Sequence, residues 1–301
     1  MLKKTDPDRG QVPETVEEME YFRPKNFNES LRYLGKLKSK ATLIAGGPIV
    51  IPDIRAKILT PNALVDISYV KDISYVKEEK KTIRVGGLTT ISELASSNII
   101  EKCAPVLSEA AREFGNPLVR NRATMGGNLA DASPAADTAT PLLVLGGMVV
   151  VEKHGAKSRQ IPIEQFFVGP NRTVLKPGEV IREIIFPKPG RYARMAYTKF
   201  GLRNAMAISV VSLAVLVEIE DRACNKARIG FGAVAPRPIR AYRTEEMLTG
   251  NEVTRELIAE CCEMVKKEIS PISDIRASAE YREWMASVLL KGLLQQIFKE
   301  K

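Results

Sequence analysis

Short apolar runs alternate with polar, glycine-marked turns along the first two thirds of the chain. Residues 19–23 (MEYFR) fit a short strand. Asn26 then precedes Phe27, Leu31 and Leu34 at helical spacing, with Glu29 three residues after it, which predicts a capped amphipathic helix. The run ATLIA at 41–45 ends in Gly46 and Gly47 and reads as a buried strand entering a turn. Residues 64–67 and 83–85 predict two more strands. Between them lies a tandem DISYVK, at 66–71 and 72–77, too short to be an architectural repeat. Thr90 and Glu93 have the spacing of a capping box. Pro105 and Gly115 bracket a further helix, PVLSEAAREF. Residues 142–151 are strongly apolar and predict full burial.

After a PKPG linker at 187–190 the texture changes. Residues 210–219 and 227–235 predict long antiparallel strands, and 254–268 and 278–298 predict amphipathic helices. The first of these helices places Leu257, Cys261, Met264 and Val265 on one face. The chain therefore divides near residue 190 into an α/β part and a smaller α+β part.

With 301 residues the chain is long enough for two or three domains, and its 45% hydrophobic and 27% charged content suits a soluble globular protein. No apolar run approaches the ~18–20 residues that cross a bilayer. Residues 1–17 are polar, lack the apolar region of a secretory signal and read as a frayed or partner-facing tail. The four cysteines, Cys103, Cys224, Cys261 and Cys262, form no C-x-x-C pair. They argue against a metal site and for a reducing, cytoplasmic home. The net charge of +9 raises nucleic acid as a partner. The basic residues are, however, mixed with acids and form no basic run, so a basic face toward an acidic partner subunit, or dense surface charge, is the better reading. The only histidine, His154, precedes a glycine turn and reads as a surface residue, which disfavours histidine metal sites and triads. Trp284 is expected in core or interface. No nucleophile–base pair emerges, so no catalytic side chain is assigned.

Two glycine-rich segments remain. A lone Gly46-Gly47 is weak, and neither G-x-G-x-x-G nor a P-loop is present. The second segment, NRATMGGNLADASPAAD at 121–137, is more specific. Thr124, Met125, Gly126, Gly127 and Asn128 offer a hydroxyl, successive unhindered amides and an amide side chain, and Asp137 follows a run of small residues. Such amides can form an anion-binding nest for a diphosphate, and Asn128 and Asp137 can bind sugar-chain hydroxyls.

From about residue 19 to near the C-terminus the chain resembles the FAD-binding subunit of the molybdenum hydroxylases, the xanthine dehydrogenase and carbon monoxide dehydrogenase family. Arg120 to Asp137 is similar to that family's R-N-x-x-T-x-G-G-N segment with its later P-x-x-D. Ala45-Gly46-Gly47 matches the start of its A-G-G loop. FF-x-G at 166–169, EVIREIIFP at 179–187, AVAPRPIR at 233–240 and DIRASAEYR at 274–282 follow in the family's order.

The resemblance implies a two-subdomain FAD-binding fold of the vanillyl-alcohol-oxidase type, followed by a smaller α+β C-terminal domain with an antiparallel sheet and helices. The FAD-binding domain would span 18–188, with subdomains at about 18–75 and 76–188, and the C-terminal domain 191–301. Ala45, Gly46, Gly47, Pro48, Ile49 and Val50, with Thr124, Met125, Gly126, Gly127 and Asn128, would wrap the diphosphate. Asp137 would bind the ribityl chain or a nearby hydroxyl. Phe114, Ile181 and Lys199 would border the flavin, and Tyr197 would cover one face of it. By residue type alone, Phe114 equally suits core, Ile181 an ordinary strand, Lys199 a solvated charge and Tyr197 interface packing.

One departure stands out. The family usually has polar residues after A-G-G, but here Pro48 has no N–H and Ile49 no polar side chain. At ~0.5–1.5 kcal/mol for each net hydrogen bond, losing two predicts FAD binding weakened roughly tenfold to a hundredfold.

By resemblance the chain takes electrons from two [2Fe–2S] clusters of a small partner subunit, while substrate is oxidised at a molybdenum cofactor in a large one. It passes them to an external acceptor such as NAD, a quinone or oxygen. The competing readings are a stand-alone flavoprotein oxidoreductase and a non-catalytic assembly subunit that has lost FAD.

Overall fold

The computed structural model describes residues 19–220 and 223–299, so the tail at 1–17 lies outside the described residues. Three short parallel strands, β1 (Glu20–Phe22), β2 (Ala41–Ile44) and β3 (Ala63–Asp66), form a first sheet in the order β1-β3-β2. The helix Phe27–Leu37 connects β1 to β2. It starts as its sequence predicts: the Asn26 side chain accepts from the Glu29 amide at 2.9 Å, and the Glu29 carboxylate accepts from the Lys25 amide at 2.7 Å. Its buried Phe27, Leu31 and Leu34 pack with Val65, Ile67, Val70 and Ile73, and with Leu88 and Val180 from the second sheet.

The tandem DISYVK places its two copies differently. Asp66 ends β3 and accepts from the Ser68 amide, whereas Asp72 accepts from the amide of Phe27 at 3.0 Å and so anchors the helix start. Both Ile67 and Ile73 enter the core.

The second sheet is antiparallel throughout. It contains β4 (Val76–Glu78), β5 (Thr82–Gly86), β6 (Met148–Glu152) and β7 (Arg159–Pro162). A small ribbon of β8 (Phe167–Gly169) and β9 (Arg172–Thr173) intervenes, and β10 (Val180–Pro187) then inserts centrally to give β4-β5-β10-β6-β7. Between Ile181 and Glu183 the register of β10 against β6 shifts, a bulge at Arg182. The helices Ile91–Ser96, Pro105–Glu113 and Ala139–Leu145 cover this sheet over the largest core, which includes Ile83, Val85, Leu107, Leu142, Phe166, Ile184 and Phe186. The predicted capping box is present: Thr90 Oγ1 accepts from the Glu93 amide and Glu93 accepts from the Thr90 amide.

The third sheet, β11 (Ala193–Phe200), β12 (Val211–Glu220), β13 (Ala223–Gly232) and β14 (Ile239–Arg240), is antiparallel in that order. The helices Arg255–Lys266 and Ala279–Lys299 pack on it. The buried face of Arg255–Lys266 is Ile258, Cys261, Cys262 and Val265, rotated from the expected one, and Leu257 and Met264 are only partly covered. Cys261 and Val265 hold the expected positions, while Ile258 and Cys262 take the places expected for Leu257 and Met264. Trp284 is not core: it is 53% exposed, on the outer side of the last helix. His154 is exposed in a turn, as expected.

The helix Ala139–Leu145 lies against β12 and β13 at a close seam. A Cβ on Gly230 would lie 2.9 Å from the Thr140 carbonyl oxygen, and Thr140 Oγ1 and Ser212 Oγ are 3.2 Å apart. The small residues at 132–136 belong partly to this seam, since the Pro134 carbonyl accepts from the Ala233 amide at 2.8 Å.

Candidate cofactor-binding site

The first two sheets enclose a cavity of about 420 Å³. Leu43, Ala45 and Ile67 wall it from the parallel sheet, and Gly87, Leu88, Val180 and Ile181 from the antiparallel one. Phe114, Val119, Leu175 and Ala123 complete an apolar lining. Its polar portion comes from the two glycine segments: Gly46, Gly47, Pro48, Ile49 and Val50 on one side, Thr124, Gly126, Gly127 and Asn128 on the other.

Backbone packing explains the glycines. A Cβ on Gly46 would lie 1.6 Å from the Arg122 carbonyl oxygen, so the two segments touch main chain to main chain. Gly47 has φ +86°, the left-handed region that favours glycine. A Cβ on Gly126 would meet the Gly87 carbonyl at 2.8 Å, and one on Gly87 the Ile181 carbonyl at 2.3 Å. The segments therefore stack on the bulged stretch of β10, and the bulge supplies the Arg182 carbonyl that accepts from the Gly87 amide at 2.8 Å.

The structure places the available amides differently from the sequence reading. Met125 and Gly126 donate to the carbonyls of Thr89 and Gly87 at 2.9 and 2.8 Å. Gly127 donates to Thr124 Oγ1 at 3.1 Å and Asn128 to the Thr124 carbonyl at 2.9 Å. The nest expected across 125–128 is thus already satisfied, because these residues open a helix, Met125–Asp131, capped by Thr124. Within the two glycine segments, 45–50 and 121–128, the amides without a partner among the described residues are those of Ala45, Gly46, Gly47, Ile49, Val50 and Thr124. All six residues line the cavity. Orphan donors of this kind need an acceptor from water or a ligand.

Of the other residues singled out from the sequence, Ala45, Phe114, Asn128 and Ile181 line the cavity. The Asn128 Oδ1 accepts from Thr138 Oγ1 at 2.6 Å. Met125 is fully buried in the core beneath it. Asp137, Tyr197 and Lys199 are brought together, but with one another rather than on the cavity wall. Asp137 accepts from Lys199 Nζ at 2.9 Å, Ser209 Oγ at 2.6 Å and Tyr197 Oη at 3.3 Å. Burial first, then the Asp137 and Glu113 carboxylates, raise the Tyr197 phenol well above its ordinary range, so it stays a neutral donor. Burial also raises Glu113, next to Phe114, against the attraction of Lys199.

Sequence reasoning missed Gly87, Leu88, Asp131 and Glu179, all on the wall. A signal existed for the first: Gly86-Gly87 is a further glycine pair closing a strand. The Asp131 carboxyl is raised by burial and then by the neighbouring Asp53. Burial raises Glu179 too, but the Arg159 guanidinium, at 2.7 and 2.8 Å, lowers it further, and the net shift is downward.

Orphan amides beside an apolar wall suit a ligand that carries both an anionic group and aromatic rings. The residues present therefore fit a flavin dinucleotide. No group of three or more His, Cys, Asp or Glu among the described residues could hold a metal ion. No helix among them is long and apolar enough to cross a membrane.

Comparisons with known proteins agree with this chemistry. Residues 17–189 match the family described as "FAD binding domain in molybdopterin dehydrogenase", and residues 196–297 match "CO dehydrogenase flavoprotein C-terminal domain". The chain is 27% identical to the glyceraldehyde dehydrogenase medium chain of Sulfolobus acidocaldarius, covering 93% of this chain and 98% of that one. It is 30% identical to the carbon monoxide dehydrogenase medium chain of Hydrogenophaga pseudoflava, covering 91% and 95%. A solved structure of carbon monoxide dehydrogenase from the same organism superimposes with a TM-score of 0.90 at 30% identity, over 93% of this chain and 97% of that one.

Proposed function

Because the chain belongs to the FAD-binding family of molybdopterin dehydrogenases, we propose that it is the electron-transferring FAD subunit of a heteromeric molybdenum hydroxylase. It is an oxidoreductase subunit, and its fold is the family's FAD-binding domain followed by the flavoprotein C-terminal domain. Its partners, in this reading, are a large subunit holding the molybdenum cofactor and a small subunit holding [2Fe–2S] clusters, in the cytoplasm. When bound, the flavin supplies the redox chemistry that links those clusters to an external acceptor such as NAD, a quinone or oxygen.

The observation that carries the reading is the set of partnerless amides on the cavity wall. Gly46, Gly47, Ile49, Val50 and Thr124 would donate to the diphosphate. Phe114, Ile181 and the neighbouring aliphatic side chains would hold the rings and exclude water. Pro48 removes one donor from this turn, yet four of its neighbours keep theirs, so FAD binds, though more weakly than with a full set. Asp137, Lys199 and Tyr197 act behind the wall: their shared buried network fixes β11 and Ser209 against the segment after the second glycine loop.

Purification settles the reading. The chain isolated from its own cells should be yellow, with flavin absorbance, and should bring molybdenum and iron–sulfur subunits with it. A colourless, folded chain that takes up no added FAD refutes it. A yellow chain that oxidises an organic substrate alone, without companions, replaces it with the stand-alone oxidoreductase.

A further inference from the structure

A second, smaller cavity of about 70 Å³ adjoins the first and shares Ala45, Gly46, Leu88 and Thr124 with it. Its remaining lining is polar: Ser68, Thr90, Asn121 and Arg122. Arg122 is the only Lys or Arg among the residues lining either cavity, whereas Asp131 and Glu179 bring two carboxyls, of which only Glu179 has a cationic partner. A diphosphate bound by amides alone beside Asp131 would lack a counter-charge.

The Arg122 side chain is held for such a role. Its Nε donates to the Gly46 carbonyl at 3.1 Å, across the contact between the two glycine segments. Both Nη groups remain without a partner among the described residues. A guanidinium anchored through Nε keeps its two outer donors in one plane, the geometry that pairs with phosphate oxygens.

We infer that Arg122 is a diphosphate-binding residue, the cation that offsets the amide missing at Pro48 and the polar side chain missing at Ile49. This rests on the FAD reading above. It adds a charge-based contact at the junction of the two glycine segments.

The test is calorimetric titration of FAD into the full chain stripped of flavin, at low and at moderate salt. Wild-type affinity should fall as salt rises, because a cation–diphosphate contact is screened. Arg122→Gln should weaken FAD binding about ten- to a hundredfold at low salt and flatten the salt response. Arg122→Lys should fall between them, keeping the charge but not the planar fork. A loss that comes only from the Nε–Gly46 contact would weaken binding but leave the salt response intact, and that result overturns the proposal. Unchanged affinity in Arg122→Gln overturns it too, as does a wild-type affinity indifferent to salt, which needs no variant to fold. If the wild-type chain takes up no FAD at all, the parent reading fails first and the two failures are told apart.

Discussion

The carbonyl oxygen of Arg122 occupies the space where a side chain on Gly46 would begin, 1.6 Å from an ideal Cβ, and the Arg122 Nε returns a hydrogen bond to the Gly46 carbonyl at 3.1 Å. Two segments far apart in sequence are thereby locked together where the two cavities adjoin. Gly46→Ala must drive them apart, since main chain cannot yield as a flexible side chain can. The variant should lose flavin on gel filtration and melt several degrees lower, at about 2–4 °C per kcal/mol for a chain of this size. Gly169→Ala, where a Cβ meets nothing within 4 Å, is the control and should change neither.

Thr124 caps the helix Met125–Asp131 through its Oγ1, which accepts from the Gly127 amide. Thr124→Val keeps the shape and removes the acceptor. Chemical denaturation should show a loss of about 1 kcal/mol, with the midpoint lowered and the slope unchanged.

Lys199 and Asp137 form an ion pair whose side chains are each 8% exposed. Removing one partner leaves the other charge buried and unpaired, so Lys199→Met should cost about 3–5 kcal/mol. Combining it with Asp137→Asn should cost clearly less than the sum of the two single changes, as measured by urea unfolding in a double-mutant cycle. Additive losses would mean that the two charges do not sense each other.

Stability should depend on pH in opposite senses at two wall carboxyls. Glu179, held below its ordinary range by Arg159, contributes stability that is present above the unfolded glutamate pKa, about 4.3, and lost as pH falls through the folded value. Asp131 is raised, so its contribution is present below the unfolded aspartate pKa, about 3.9, and lost as pH rises through the folded value. Thermal melts of Glu179→Gln should therefore converge on wild type in acid and fall below it near neutrality. Melts of Asp131→Asn should meet or exceed wild type near neutrality.

Much of this architecture is legible in the sequence. Asn26 with Glu29 and Thr90 with Glu93 announce helix starts by local hydrogen bonds that need no tertiary context. The long strands of the C-terminal sheet announce themselves by their apolar patterning, though β13 starts at Ala223, before the expected 227. The site was legible as two glycine segments, but not the division of labour between them. Whether an amide is free depends on what stacks against it. Gly126 lies on Gly87, and Gly87 on Ile181, contacts between residues distant in the chain. Nor does sequence distance show that Asp137, Lys199 and Ser209 meet one another. Small residues at 132–136 look like ligand contacts until the Pro134–Ala233 hydrogen bond shows them serving a domain seam.

A single cavity walled by both the parallel and the antiparallel sheet has a physiological corollary. A molecule that occupies it only in the native fold raises the cost of unfolding, by about 2.7 kcal/mol at a hundredfold excess over its dissociation constant. Opening of the empty chain exposes its backbone to proteases correspondingly more often. Riboflavin starvation should therefore shorten the lifetime of this polypeptide at a constant rate of synthesis, which a pulse-chase measurement checks.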